Sequence, residues 1–177
     1  MSNYPCVSWS CYLFSLASSS STNNLYTANA TLLRGTIGEI AVMSSGNLLY
    51  NLTDSGTIAL SSFTGEKPKN LYTSTFTEWL IMPTGVNSAI ITTRASASAL
   101  GYAYTLNTTS GSLTKILGPL QNLTVRPNSD GKRLAYAWME NGRSNFSALN
   151  TITKLNLPIT PNTIPEKCVW SQKIVSI

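Results

Sequence analysis

Histidine is absent from the 177 residues. That excludes Ser-His-Asp and Cys-His catalysis, and with them zinc sites built on imidazole. Charge is scarce too. Asp, Glu, Lys and Arg make up 11% of the chain, against the ~25% of ordinary soluble domains. No two of its seven acids fall at a spacing that sets paired carboxylates on one loop. The chain therefore reads as not an enzyme, with no cofactor and no metal. The twelve Lys and Arg residues give a net charge of +5 but are scattered, and no run of them alternates with aromatics. A nucleic-acid groove concentrates both, so a nucleic-acid partner is not expected. Long apolar runs are missing as well. Nothing approaches the ~20 residues of a membrane span. The moderately apolar segment 6–17 ahead of Ser18–Ser21 lacks a basic leader, so it reads as strand plus loop rather than a signal peptide. Cysteine is limited to Cys6, Cys11 and Cys168. Cys6 and Cys11 lack the tight Cys-x-x-Cys spacing of redox or zinc motifs. The odd count leaves at least one thiol without an internal partner. Cys168 reads as a buried structural residue, and the redox state of all three stays open.

Ser, Thr and Asn take the polar positions instead, and 42% of residues are apolar. Thr fits a pleated face and Asn tolerates turn geometry, so the composition suits β-sheet. Three patterns recur. An apolar anchor appears as Trp79 in Glu78-Trp79-Leu80-Ile81, as Val125 in Leu123-Thr124-Val125-Arg126, and as Trp170 in Cys168-Val169-Trp170-Ser171. A glycine turn leads into a short basic strand at Thr64-Gly65-Glu66-Lys67 and again at Ser110-Gly111-Ser112-Leu113, and a third copy at Asn150-Thr151-Ile152-Thr153-Lys154 lacks the glycine. A turn into a strong second strand appears at Pro83-Thr84-Gly85 and at Pro127-Asn128-Ser129-Asp130-Gly131. The spacing from Trp79 to Val125 and from Gly65 to Gly111 is 46 residues, and from Val125 to Trp170 it is 45. Such a period fits propeller blades of four strands or paired helices. Short β-branched runs divided by Gly, Asn, Pro or Ser decide for strands. The expected strands are 37–43, 48–52, 57–62 and 69–72, then 77–82, 88–94, 101–106 and 113–117, then 123–126, 133–138, 145–149 and 153–157. Stacking such sheets buries both faces of each.

The segment Pro127-Asn128-Ser129-Asp130-Gly131-Lys132-Arg133-Leu134-Ala135-Tyr136 resembles the repeat of TolB-type β-propellers, relatives of the WD-type repeat, in which an apolar anchor precedes an Asp-Gly turn, Lys and an aliphatic strand. Cys168-Val169-Trp170-Ser171 resembles the Trp-Ser start of another such repeat. The stretch from Glu166 to Ser171 behind Ile164-Pro165 looks like propellers of bacteria with small genomes. The resemblance spans roughly residues 36 to 177. It implies an all-β propeller of four-stranded antiparallel blades that serves as a scaffold or binding surface, and it brings no catalytic motif.

The expected division is an irregular segment over 1–35 with edge strands at 25–27 and 31–33, blades over 36–73, 76–117 and 121–157, and a partial blade over 166–177. Three complete blades plus partial ones make an open propeller, expected to be a fragment of a longer protein. The alternative is a four-bladed ring closed by residues 25–33. The expected function is non-catalytic binding of a protein or glycan at a periplasmic or cell-surface location, with self-association through open blade edges. Loops 95–100 and 139–143 are expected on one face with those near Ser74 and over 118–121, and Glu140 and Arg143 are the candidate binding residues there. Two other readings are the propeller part of a larger hydrolase or peptidase and a β-rich adhesin, the latter opposed by the four-strand period. The sequons at Asn29, Asn51, Asn107, Asn122 and Asn145 read as structural asparagines.

Overall fold

The computed structural model describes residues 6–7, 10–18, 26–32, 35–160 and 163–171. The described chain is all-β apart from one turn of 3-10 helix, and every strand pairing is antiparallel. It divides into two compact units, Met1–Glu78 and Trp79–Ile177.

The first unit contains two sheets. Strands β1 (Cys6–Val7), β2 (Ser10–Ser18) and β3 (Tyr26–Leu32) form a three-stranded sheet. The expectation of an irregular 1–35 segment is corrected there. Tyr26–Leu32 forms one continuous strand where two short ones were expected, and it pairs with a nine-residue partner. The alternation of Tyr12, Phe14 and Leu16 with smaller residues carries a strand signal that the following serine run obscures. Residues 25 and 33 lie outside the described ones. The second sheet is a four-stranded blade of β4 (Ile37–Val42), β5 (Leu48–Leu52), β6 (Thr57–Ser61) and β7 (Lys69–Thr73), in chain order. Leu48, Tyr50 and Ala59 form its core, with Ile37, Ile40, Leu52 and Phe63 against them.

The second unit is a single hydrogen-bonded series of β8 (Trp79–Thr84), β9 (Ser88–Thr93), β10 (Leu100–Asn107), β11 (Leu113–Pro127), β12 (Arg133–Glu140), β13 (Arg143–Asn150) and β14 (Asn156–Pro158). The long β11 serves two blades. It pairs with β10 from Leu113 to Gln121 and with β12 from Gln121 to Pro127. The chain bends there at Gly118 (φ +106°), a cis Gly118–Pro119 bond and Asn122 (φ +50°). A Cβ on Gly118 would stand 2.5 Å from the Gly101 carbonyl oxygen, so only glycine fits that bend. The outer strand of one blade thus becomes the first strand of the next. Trp79 and Val125 both lie on the first strand of their blade, as the repeat requires.

The two blades share a core. Ile90 and Ala103 from the earlier blade meet Leu123, Val125, Leu134, Tyr136 and Leu149 from the later one. The turn backbones lock the same stack, because Gly85 N–H donates to Ser129 O at 2.9 Å. A Cβ on Gly131 (φ +69°) would lie 2.9 Å from Thr84 Oγ1, so the Asp130-Gly131 turn packs directly on the preceding blade.

The end of the chain departs from expectation. Residues 150–154 form a turn, which moves the fourth strand of the last blade from 153–157 to 156–158. The segment expected to open a further blade at 166 is instead a strap. Pro165–Lys167 is a 3-10 turn, Cys168 after it is extended, and 168–171 belongs to no ladder. Proline fixes its φ and lacks an N–H, so pairing is interrupted where the strand was expected to begin. The strap uses side chains instead. Ile159, Cys168 and Trp170 pack on Ala135, Ala137 and Phe146. Residues 172–177 lie outside the described ones.

Candidate functional site

The strap creates a groove. Trp170 donates its indole N–H to Arg126 O at 3.3 Å, and the Arg126 guanidinium donates to Glu166 O at 3.3 Å. These two bonds hold the indole against the last blade. Beside it opens a cavity of about 550 Å³ lined by the 128–133 turn, Asn150, Ile152, Trp170 and Ser171. A second cavity of about 380 Å³ shares Arg133, Asn150 and Trp170 with the first and extends along Leu155 and Leu157. Sharing those three residues, they make one amphipathic trough lined by an indole and by two leucines, 58% and 56% exposed.

Its polar wall is built by two asparagine turns. Asn128 Oδ1 accepts from Arg133 N–H, and Asn128 N–H donates to Arg133 O. Asn150 Oδ1 accepts from Ile152 and Thr153 N–H, and Thr151 ties the two turns together by donating from Oγ1 to Gly131 O and from N–H to Lys132 O. Asp130 Oδ1 accepts from Lys132 N–H at 2.9 Å, with the Lys132 ammonium 3.8 Å from the other oxygen. That backbone hydrogen bond, followed by the Asn128 side chain and the Lys132 and Arg133 charges, holds the Asp130 carboxyl below the usual carboxylate range. Asp130 is therefore an acceptor at neutral pH and a poor proton donor. The trough can stack a flat or apolar ligand face on Trp170, offer Lys132 and Arg133 to carbonyl, hydroxyl or carboxylate oxygens, and shield the contact with leucine.

Glu140 and Arg143 lie elsewhere. They are opposite each other at the last rung of the β12–β13 hairpin, joined by Asn141 (φ +50°) and Gly142 (φ +73°). This is the two-residue turn with both φ positive that fits strand twist. Both charged residues are exposed, and neither lines the trough. Three of the expected loops do meet at that end of the unit. Gln121 lies opposite both Leu100 and Met139, and its side-chain amide donates to Ala97 O at 2.7 Å. Segments 95–100, 118–121 and 139–143 therefore converge there, whereas the trough is at the opposite end, by the 128–131 and 150–154 turns. The repeat marks Trp170 as a blade anchor and carries no sign of Arg133 or Leu157 as site residues, because the strap that unites them leaves no periodicity.

Two sequon asparagines are structural. Asn51 is fully buried and donates to Thr77 O at 2.8 Å, and Asn107 Oδ1 accepts from Thr109 and Ser110 N–H. Among the described residues no helix is long and apolar enough to cross a membrane.

No protein-family model matches the sequence, and no curated protein matches it either. Solved structures do. A TolB-type protein from Agrobacterium tumefaciens matches with a TM-score of 0.55 at 15% identity, covering 77% of this chain and 50% of that one. Puromycin hydrolase matches with a TM-score of 0.60 at 14% identity, over 89% of this chain and 25% of that one. A nidogen/laminin complex matches with a TM-score of 0.54 at 10% identity, over 84% of this chain and 60% of that one. The chain spans between a quarter and three-fifths of the length of these structures. At such identities the likeness establishes a TolB-like β-propeller fold and nothing finer.

Proposed function

We propose that this TolB-like propeller chain is a non-catalytic binding module for a protein or glycan at an extracytoplasmic surface, and that the trough beside Trp170 is its contact site. The observation that carries this reading is the convergence of an anchored indole, the Arg133 and Lys132 cations and two exposed leucines on one face of the last blade. Interface anchors are enriched in Trp and Arg with apolar surroundings. Each of the three surfaces alone is ordinary, but their union in a concave site is what a partner needs. The test is an immobilised chain probed against arrays of glycans and peptides. Arg133→Ala and Leu157→Ser should each abolish the array signal while leaving the melting transition within about 0.5 kcal/mol, the range of ordinary surface changes. Binding that survives both substitutions removes the trough from the reading. Binding lost on Glu140→Ala or Arg143→Ala would move the site to the opposite end.

A second reading has one observation behind it, the match to a quarter of puromycin hydrolase. Under it the chain is the propeller part of a larger hydrolase, and the trough faces another domain. An adjoining coding region for a catalytic domain would favour this reading over the first.

A further inference from the structure

We propose that Cys6 and Cys11 form a cross-strand disulfide that staples the first hairpin of the chain. Strands β1 and β2 pair antiparallel with Cys6 directly opposite Cys11 and Val7 opposite Ser10. Only Ser8 and Trp9 separate the two strands in sequence. Directly opposed residues of an antiparallel pair share one face of the sheet and have Cα atoms ~4.5–5.5 Å apart, according to whether the rung is hydrogen-bonded. Either value falls within the ~4.4–6.8 Å that a disulfide spans. A two-residue β1 is a short element for a β-sheet, and a bond to β2 would hold it in register.

The third cysteine has a different setting. Cys168 is a free thiol, half-buried in the strap against Ala135, Ala137 and Phe146, with its Sγ 3.9 Å from Ile164 O. The odd count thus resolves into one pair in register and one packed thiol. The bond forms by exchange with a disulfide oxidant. A thiolate of the pair attacks the oxidant disulfide and releases one thiol. The other thiolate then displaces the second. Two protein thiols become one disulfide as the oxidant disulfide becomes two thiols. A bond of this kind persists in an oxidising compartment, which is where the proposed function places the chain, but the pairing itself rests on the strand register alone.

The experiment uses the full chain, reduced, then equilibrated with oxidised and reduced glutathione. The chain is next denatured without reductant, alkylated and analysed by mass spectrometry. One alkylated cysteine per chain, Cys168, is expected. The tryptic peptide 1–34, which holds both other cysteines, should be lighter by two hydrogens. Cys168→Ser should leave no alkylated cysteine, and Cys6→Ser should leave two. The glutathione ratio needed to open the bond should be higher in native buffer than in urea, because the ladder holds the two residues opposite each other. Three alkylated cysteines, mixed glutathione adducts at Cys6 and Cys11, or a bond to Cys168 would overturn the proposal. So would an equal opening ratio in buffer and urea. None of these outcomes bears on the Trp170 trough, whose binding test is read separately.

Discussion

Trp79 is 3% exposed and meets Tyr104 edge-on, with ring centroids 6.0 Å apart at 70°. Removing it empties a large volume at the head of a blade, so Trp79→Ala should cost about 3–5 kcal/mol in a denaturant melt. A loss below about 1 kcal/mol would be a surface value and would contradict its burial. The turn glycines make a finer contrast. Gly111 (φ +77°) and Lys154 (φ +61°) occupy the same place in matching turns. Gly111 N–H donates to Asn107 O at 2.8 Å, and Lys154 N–H donates to Asn150 O at 2.9 Å. The glycine missing from the third copy of the repeat is thus replaced by a lysine in the left-handed region. That conformation costs an L-residue roughly 1–2 kcal/mol, offset in part by the greater unfolded-state entropy of glycine. Lys154→Gly should therefore stabilise by about 0.5–1 kcal/mol in the same melt, and a destabilisation would mean that the lysine makes a compensating contact. Asp130 adds a pH signature. Its folded carboxyl titrates below the unfolded one because the Lys132 N–H bond favours the anion, so its contribution is present above the unfolded value and is lost as pH falls through the folded value. The acid limb of stability should flatten in Asp130→Asn, as read by urea melts across the acid range.

At the scale of elements, most of the blade strands were legible because each is a short β-branched or aliphatic run bounded by turn residues. Leu48–Leu52 and Ser88–Thr93 are examples. The Asp130-Gly131 turn was legible for a physical reason too, since positive φ and close packing on Thr84 both demand glycine. In the second unit the bend and the strap were not legible. The bend inside β11 keeps ladder pairing on both sides, so one strand stands where two were expected. The strap depends on Pro165, which is fully buried, and on indole-to-carbonyl bonding across 44 residues, and neither leaves a periodic trace. The same feature hid the candidate site, because Arg133, Leu157 and Trp170 lie on three separate segments. The strap is also testable as a unit. In a background lacking Cys6 and Cys11, Trp170→Ala removes the Arg126 bond and loosens the strap that packs Cys168 on Ala135, Ala137 and Phe146. Alkylation of Cys168 in native buffer should then accelerate, while Val169→Ala, at a position 88% exposed, should leave the rate unchanged. Equal rates in the two variants would show that the indole does not hold the strap down.

At the scale of the whole molecule, the last blade has an unpaired outer edge among the described residues, where β14 pairs on one side only, with β13. Beside that edge Ile152, Leu155 and Leu157 are all more than half exposed. Unpaired strand edges recruit other strands, and contiguous apolar patches drive association. The charged devices that usually blunt such an edge are thin here, because Lys154 is the one ionised side chain between Thr151 and Pro158. The purified chain should therefore self-associate with rising concentration, as read by size-exclusion chromatography with light scattering. Apolar contact and backbone pairing are weakly screened by salt, whereas exposed ion pairs fade within a Debye length of ~10 Å at 0.1 M salt. Association should persist or strengthen as salt is raised. The double variant Leu155→Lys and Leu157→Lys places cations on the edge and removes the apolar patch, and it should return the chain to monomer with its melting transition little changed. A wild-type chain that runs at 19.1 kDa at every concentration would mean that the edge is already covered. Association abolished by salt would point to the scattered cations in place of the leucine edge.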